Sequence, residues 1–504
     1  MAILLTNLEN KREKFFNIIK SIKDLIFQSK DIKNIISLAE FFGILNVQNF
    51  AGIYFDDEIE NYIFEIIKKK INNRNFYNKN SNTITFLATE LYEYGGHTLA
   101  LLSWIKFSKN FKNKKLIITK AIPANVENIL KISGVYIYKC KYHYLEKIKE
   151  IINEALGSKY IVLFTHPHDI ISIMAAKFLS ELGHMILFYN HADHTFSYGI
   201  TSSDIVCEIS EFGFELNKNK NRKGKKHIYL GIPVPTEKEI DVDVLIKKYN
   251  SIKDKKEKII LSCGSFWKYE PYNDISFDSF IDKLLSNRKE RDIRFVIVGS
   301  TGKEGFWRNV KAKWKKYVTF FGFLPYNNHR KLLDKADIYI DSFPVPGGTA
   351  FPEALLRGIP CLGLKTYLRG YHCAENLHFK DINTLVDKVC LLLKGEQNLL
   401  DLIVEAFLKT KEINSELAFK DRLEKLYSNQ IKTYIHPCSK SNGRIDTSWF
   451  EKFWEANKNI FIPPLNIIDD LTPTLKFKLI KTLGFSFEDN RYFYRFINLL
   501  LKGP

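Results

Sequence analysis

Residues 336–364, ADIYIDSFPVPGGTAFPEALLRGIPCLGL, carry the pattern from which the fold is read. Ile338, Tyr339 and Ile340 read as a short buried strand, Pro-Val-Pro-Gly-Gly as a tight loop, Ala350 to Arg357 as a helix, and Ile359 to Leu364 as the next strand. That is one strand–helix–strand turn of a parallel sheet. Gly347 and Gly348 lack a Cβ, so backbone N–H groups can close on a ligand. The helix beginning at Thr349 turns its free N–H groups and positive dipole end toward the same spot. An anion is the expected occupant. Glu353, in the first helical turn, either stabilises the dipole or accepts hydrogen bonds from a sugar's hydroxyl pair.

The same alternation recurs upstream. KIILSC at 258–263 runs into a Gly264-Ser265 turn and Lys268; FVIVGS at 295–300, VTFFGFLP at 318–325, DIYIDSF at 337–343 and PCLGL at 360–364 complete five strands. Lys268 either places an ammonium against a phosphate beside the Gly264 turn or is one more surface lysine. Earlier still, TITFLAT at 83–89 precedes Gly95-Gly96, after which His97 and Thr98 lead into an apolar helix through Trp104. Strands are expected at Leu116–Thr119, Val135–Tyr138, Ile161–Phe164, Met185–Tyr189 and in DIVCEIS at 204–210, with helices over Tyr144–Leu156 and Ile170–Leu182. The fold class is therefore α/β, with two Rossmann-like parallel-sheet domains facing each other.

In such sheets ligands bind at the carboxyl ends of the strands, and two histidine-bearing loops fall there. They are THPHD at 165–169 and YNHADHTF at 189–196. Three readings stand for them: a general base with its orienting carboxylate, a metal site, or hydrogen-bonded loop histidines. No third carboxylate or cysteine stands at ligand spacing, so no metal is expected. His191 with Asp193, or His97, is the nominee for the base.

The expected organisation is a helical N-terminal region over 1–80 and an N-terminal Rossmann-like domain over 83–232, joined by an Asn-rich linker at 71–82. A C-terminal Rossmann-like domain spans 236–395, and a helical tail over 396–504 packs back on the core. Pro233 and Pro235 mark the connection between the sheets. After Lys365 the pattern reads as helical to the end, with a break at FIPPLN, 461–466. The basic stretch LNKNKNRKGKKH at 216–227 reads as a solvated loop or one resting on phosphates.

At 504 residues the chain exceeds one compact core, and 45% hydrophobic with 14% aromatic residues excludes wholesale disorder. The formal charge of +18 favours anionic partners: nucleotide diphosphates, acidic glycans or an anionic membrane surface. Lysines run along the whole chain, and the run Lys68 to Lys70 reads as a solvated face, so no nucleic acid is expected. Seven scattered cysteines without a C-x-x-C pair fit a reduced, cytoplasmic protein without structural zinc. MAILLTNLENKREKFF has too short an apolar run for a signal peptide, and no apolar stretch approaches a membrane span. Peripheral attachment at the inner membrane face stays open.

The two Rossmann-like halves, the Pro-marked connection, the Gly-Ser/Lys loop and GGTAFPEALLRGIP together resemble the GT-B glycosyltransferases over roughly 83 to 390. The likeness is to the bacterial group that transfers sugars from nucleotide diphosphate donors with retention. The resemblance implies that Gly95 and Gly96 line the diphosphate side of the cleft, with Gly264 and Ser265 in the facing loop, and that Lys268 contacts the pyrophosphate. It further implies Gly322, Phe323 and Leu324 beside the base, Gly347, Gly348 and Thr349 on phosphate or sugar, and Glu353 on the ribose hydroxyls. A UDP-sugar is the implied donor, a glycan, lipid-linked molecule or protein the acceptor, and no cofactor is called for. Two positions depart from the retaining pattern: Val345 stands where that group has Glu, and Ser265 where it has Arg. DSFPVPGGTAFPEAL also looks like the matching loop of the cytoplasmic protein N- and O-glycosyltransferases, which invert. The expected function is nucleotide-sugar-dependent glycosyl transfer; inverting protein glycosylation, nucleotide-sugar epimerisation and a non-catalytic subunit are the alternatives.

Overall fold

The computed structural model describes residues 2–71, 82–93, 95–235, 240–286, 293–431, 445–457, 460–463 and 468–483. All but the end residues of the 71–82 linker, Cys438 and the second half of the FIPPLN break lie outside them.

Three helices open the chain: α1 (Ala2–Gln28), α2 (Ile32–Asn49) and α3 (Asp57–Lys70). The ends of α3 follow from charge placement. Asp56 caps the first turn by accepting the Ile59 N–H at 3.0 Å, Asp57, Glu58 and Glu60 surround the positive dipole end, and Lys68 to Lys70 occupy the last turn. The lysine run is thus explained by the helix that it finishes.

Then strands and helices alternate: β1 (Thr83–Glu90), α4 (Gly96–Phe107), β2 (Asn113–Ala121), α5 (Ala124–Ile132), β3 (Val135–Lys139), α6 (Tyr144–Ala155), β4 (Tyr160–Phe164), α7 (Ile170–Glu181), β5 (Met185–Asn190), β6 (Ile205–Glu208), α8 (Glu211–Asn219) and β7 (Lys226–Tyr229). Among the described residues they form a parallel sheet in the order β3-β2-β1-β4-β5-β6-β7. Seven of the eight β1 residues are apolar or threonine, and its middle six are buried, as a strand covered on both faces requires.

The second half runs α9 (Val242–Ile252), β8 (Lys258–Cys263), α10 (Phe277–Ser286), β9 (Ile293–Val298), α11 (Arg308–Trp314), β10 (Val318–Phe321), α12 (Tyr326–Lys335), β11 (Ile338–Ile340), α13 (Ala350–Leu356), β12 (Cys361–Leu364), β13 (His378–Phe379) and α14 (Ile382–Lys394). Its parallel sheet has the order β10-β9-β8-β11-β12-β13. The sixth strand, β13, is a two-residue edge too short to leave a periodic signal. It corrects the expectation of unbroken helix after Lys365: residues 365–377 form a loop with one helical turn, and β13 follows before α14 begins.

The chain ends with α15 (Gln397–Asn414), α16 (Glu416–Tyr427), α17 (Trp449–Asn457) and α18 (Pro473–Thr482). α15 packs in the second core, whereas α16 crosses to the first, where Phe419, Leu423 and Leu426 join the apolar layer under α4. The crossing runs beside the outgoing connection: Val234 N–H donates to Asn414 O at 2.9 Å, and Arg422 reaches Leu230 O and Ile413 O at 2.7 and 2.8 Å. The N-terminal helices share one apolar cluster with β1, β2, β4, α6, α7 and Trp454 of α17. They are part of the first domain's core, where the sequence set them apart as an N-terminal region joined by a linker.

The basic stretch at 216–227 is also corrected. Its first residues finish α8, and Arg222 is fully buried, with Nε on Asn217, NH1 on the carbonyls of Tyr54 and Thr195, and NH2 on the carbonyl of Asp193. A buried guanidinium with its donors filled by carbonyls is a structural clamp. Cys373 is disulfide-bonded, against the reading of seven reduced thiols; Cys140, Cys207, Cys263 and Cys361 keep reduced thiols.

Candidate functional site

The carboxyl ends of both sheets border one cavity of about 400 Å³. The first sheet contributes the β1–α4 turn with Tyr92, Gly95, Gly96 and Leu99. The second contributes Gly264 and Ser265 after β8, Gly299 after β9, Phe323 and Leu324 after β10, and Thr349, Ala350 and Glu353 at the start of α13. Gly95 holds φ +102°, a conformation that favours glycine, so the turn can bend sharply into α4. A Cβ on Gly96 would lie 3.0 Å from Thr349 Oγ1. The two half-sites therefore nearly touch at this point.

Glu353 is 3% exposed and is oriented by its neighbours. Tyr326 donates to its Oε1 at 3.0 Å, and Arg330 Nε lies 3.8 Å away. Burial pushes the Glu353 carboxyl up from its ordinary value, with the Tyr326 hydrogen bond and Arg330 opposing. Beside it His329, 9% exposed, lines the cavity, and its Nε2 is buried without a hydrogen-bond partner among the described residues. Burial, with Arg357 and Arg330 nearby, pushes its pKa down, so the imidazole is held toward neutrality. Neither His329 nor Tyr326 was singled out from the sequence. The signal available was their i, i+3 spacing after Pro325, which places both on one face of a helix pointing at Glu353.

Other nominees do not line the cavity. Gly322, Gly347, Gly348 and Lys268 are not among its lining residues. The Gly347 N–H is spent on Asp341 Oδ1 at 2.8 Å, while Lys268 Nζ donates to Pro346 O at 3.0 Å. The Pro346–Gly347 peptide is thus held from both sides, its carbonyl by an ammonium and its N–H by a carboxylate. Burial lowers the Lys268 pKa, and Asp341 opposes this.

The histidines divide in the same way. His97 Nε2 donates to Phe164 O at 3.0 Å, which leaves Nδ1 as the unprotonated nitrogen. That Nδ1 is buried and has no partner among the described residues. Burial brings the His97 pKa down to about 4, with Phe164 O opposing and His166 adding to the drop. The His191 ring lies 4.3 Å from that of His97, centroid to centroid, and its Nδ1 faces Tyr189 O at 3.4 Å. Asp193 is not brought to His191. Its carboxylate is fully buried and accepts from Ser210 Oγ, from Tyr371 OH at 3.1 Å and from His194 Nδ1 at 3.4 Å.

Asp341, His372 and His378 offer ligand atoms within 4.8 Å of one another. These atoms already have partners in the fold. Asp341 Oδ1 accepts from Ser342 and Gly347, its Oδ2 meets His378 Nε2 at 3.2 Å, and His372 Nδ1 accepts the Ala374 N–H at 3.2 Å. The cluster accordingly reads as a brace for the 341–348 loop.

Two facing Rossmann-like domains, a shared cleft at the strand ends and a C-terminal helix returning to the first domain define the GT-B fold. No family model matches the chain, and no curated protein does. Among solved structures, HepE from Anabaena in complex with UDP-glucose is 14% identical and covers 69% of this chain and 99% of its own, with a TM-score of 0.50. The same protein in complex with UDP is 12% identical, covers 69% of this chain and 100% of its own, and has a TM-score of 0.50. The O-GlcNAc transferase of Thermobaculum terrenum is 12% identical over 82% of this chain and 80% of that one, at a TM-score of 0.49.

Proposed function

We propose that this chain is a glycosyltransferase using a nucleotide diphosphate sugar, with the donor in the 400 Å³ cavity between the domains. One observation carries the reading. The cavity brings the Gly95-Gly96 turn of one sheet against the Gly264-Ser265 loop, Thr349 and buried Glu353 of the other, which is a diphosphate-sized backbone cradle ending in a hydroxyl acceptor. In this reading Glu353 and Tyr326 hold the ribose, Phe323, Leu324 and His329 face the base, and Lys268 fixes the Pro346–Gly347 peptide that leads into Thr349. UDP-sugars are the first donors to test, because HepE of the same fold is crystallised with UDP and UDP-glucose.

His97 is proposed as the base that takes the acceptor's proton, since its Nδ1 is open and its ring is aimed by Phe164 O. Val345 favours an inverting course. It is 4% exposed and packs in an apolar cluster with Trp449 and Phe453, so no carboxylate stands where the retaining group has one. The acceptor is a glycan, a lipid-linked molecule or a protein.

The test is release of free nucleotide from a panel of UDP-, GDP-, ADP- and CMP-sugars, alongside thermal shifts with the free diphosphates. Turnover of one donor, lost in Glu353→Ala and cut on the order of 100-fold in Lys268→Ala, is expected. A wild-type protein whose melting temperature no nucleotide diphosphate raises would remove the basis of the proposal. An epimerised nucleotide-sugar without transfer would replace it by epimerisation.

A further inference from the structure

A second cavity, of about 290 Å³, lies beyond the Pro346–Gly347 peptide and shares no lining residue with the first. Its floor is the loop between β12 and β13, the stretch that the sequence misread as helix. Pro346 forms one wall, so its carbonyl contact to Lys268 ties this cavity to the donor loop. Lys365, Arg369, Glu375 and Asn376 supply polar groups, while Leu364, Leu368 and the Tyr371 ring supply apolar surface.

The charges around this cavity are mixed. Lys365 and Arg369 face Glu375 within the lining, and Glu211 stands close to Arg369 and Glu375. A free anion would meet the Glu375 carboxylate, and a metal ion drawn to His372 and His378 on the same wall would meet an ammonium and a guanidinium. Paired donors and acceptors beside apolar surface suit a neutral ligand with many hydroxyls and a nonpolar ring face. Asn376 offers both a donor and an acceptor, and Tyr367, between two lining residues, leaves its ring 55% exposed at the surface. The volume leaves room for one small ring.

The loop's position is fixed from the first domain. Gly370 O accepts the Glu211 N–H at 2.9 Å, Tyr371 OH reaches Asp193, and a Cβ on Gly370 would stand 2.6 Å from Glu211 Cβ. The cavity is thereby held at the interdomain seam rather than on a free surface. Asp193, nominated from the sequence for proton transfer, acts here through Tyr371 as a positioning residue.

We infer that this second cavity is a hexose subsite, in which Lys365, Arg369, Glu375 and Asn376 hydrogen-bond the hydroxyls of one pyranose unit. The inference rests on the proposed glycosyltransferase reading. The sugar is either the unit carried by the donor or a unit of the acceptor, and the chemistry of recognition is the same for both.

The experiment uses the full chain as wild type, Asn376→Ala and Lys365→Ala. Both side chains are exposed and are not part of a core, so matched melting temperatures are expected. Calorimetry measures UDP, UDP-glucose, UDP-galactose and UDP-N-acetylglucosamine; saturation-transfer NMR measures free glucose, galactose and N-acetylglucosamine with UDP present. A donor sugar in the cavity predicts about tenfold weaker binding of one UDP-sugar in the variants with UDP itself unchanged. An acceptor sugar predicts unchanged UDP-sugar affinities and loss of the saturation-transfer signal in the variants. Variants indistinguishable from wild type in both measurements overturn the subsite, as does a wild type that shows neither free-sugar signals nor any gain of UDP-sugar over UDP. Wild type that ignores UDP yet gives free-sugar signals sensitive to Asn376→Ala sinks the donor reading and keeps the subsite.

Discussion

His97 and Asp193 hold equal promise in the sequence and part once their partners are counted. His97 keeps an open nitrogen, whereas the Asp193 carboxylate is filled by Ser210, Tyr371 and His194. His97→Asn is expected to lower kcat by roughly 10²- to 10⁴-fold with little change in donor KM, measured as steady-state transfer. Asp193→Ala is expected instead to cost about 3 kcal/mol of stability in denaturant unfolding, because buried donors lose their acceptor. The pH dependence follows from the sign of the His97 shift. Its folded pKa, about 4, lies below the ordinary histidine value, so between those values the unfolded chain binds more protons and stability rises with pH. The contribution of His97 is complete above about 6.5 and is lost as pH falls toward 4. On the rate side, a base with this pKa is unprotonated throughout pH 6 to 8. A profile of kcat/KM with no acid limb from His97 above pH 5 is expected; a limb near pH 6.5 that vanishes in His97→Asn would contradict the assignment.

At the level of elements, the proposed site falls on the turns at the carboxyl ends of β1, β8, β9, β10 and β11, where parallel sheets place ligands. The β1–α4 turn does the most in the least space. Gly96→Val places atoms where Thr349 Oγ1 already stands 3.0 Å from a hypothetical Cβ. A rise of tenfold or more in donor Kd, with the melting temperature little changed, is the expected result in calorimetry. The strands, the Gly-Gly turns and the Lys268 loop were legible because apolar runs bounded by glycine leave a local signal. The β12–β13 loop was not legible. Its conformation depends on Glu211, on Asp193 reached by Tyr371 and on Asp341 reached by His378, partners that are all remote in sequence from the loop. The basic stretch misled for the same reason: nothing local to Arg222 tells that three backbone carbonyls from two remote segments, at Tyr54 and at Asp193 to Thr195, join Asn217 around it.

At the scale of the molecule, the C-terminal helices bind the two halves together. Trp449 is 1% exposed and meets Tyr272 of the second domain at 5.6 Å between centroids, while its neighbour Phe450 stacks on His194 of the first at 4.7 Å. Trp449→Ala is expected to cost roughly 3–5 kcal/mol, read as a fall in denaturation midpoint. Because Val345 sits in the same apolar cluster, donor affinity is expected to fall with it. By itself the sequence determined two doubly wound sheets, their order along the chain and the glycine turns that border the cleft. Those features depend on side-chain period and on residues without a Cβ, which act within a few positions of themselves. Only the tertiary structure decided which polar groups remain open. Whether a nitrogen such as His97 Nδ1 is left without a partner, or a carboxylate such as Asp193 is spent, is fixed by what folding packs around it, including Tyr371, which is 178 residues from Asp193.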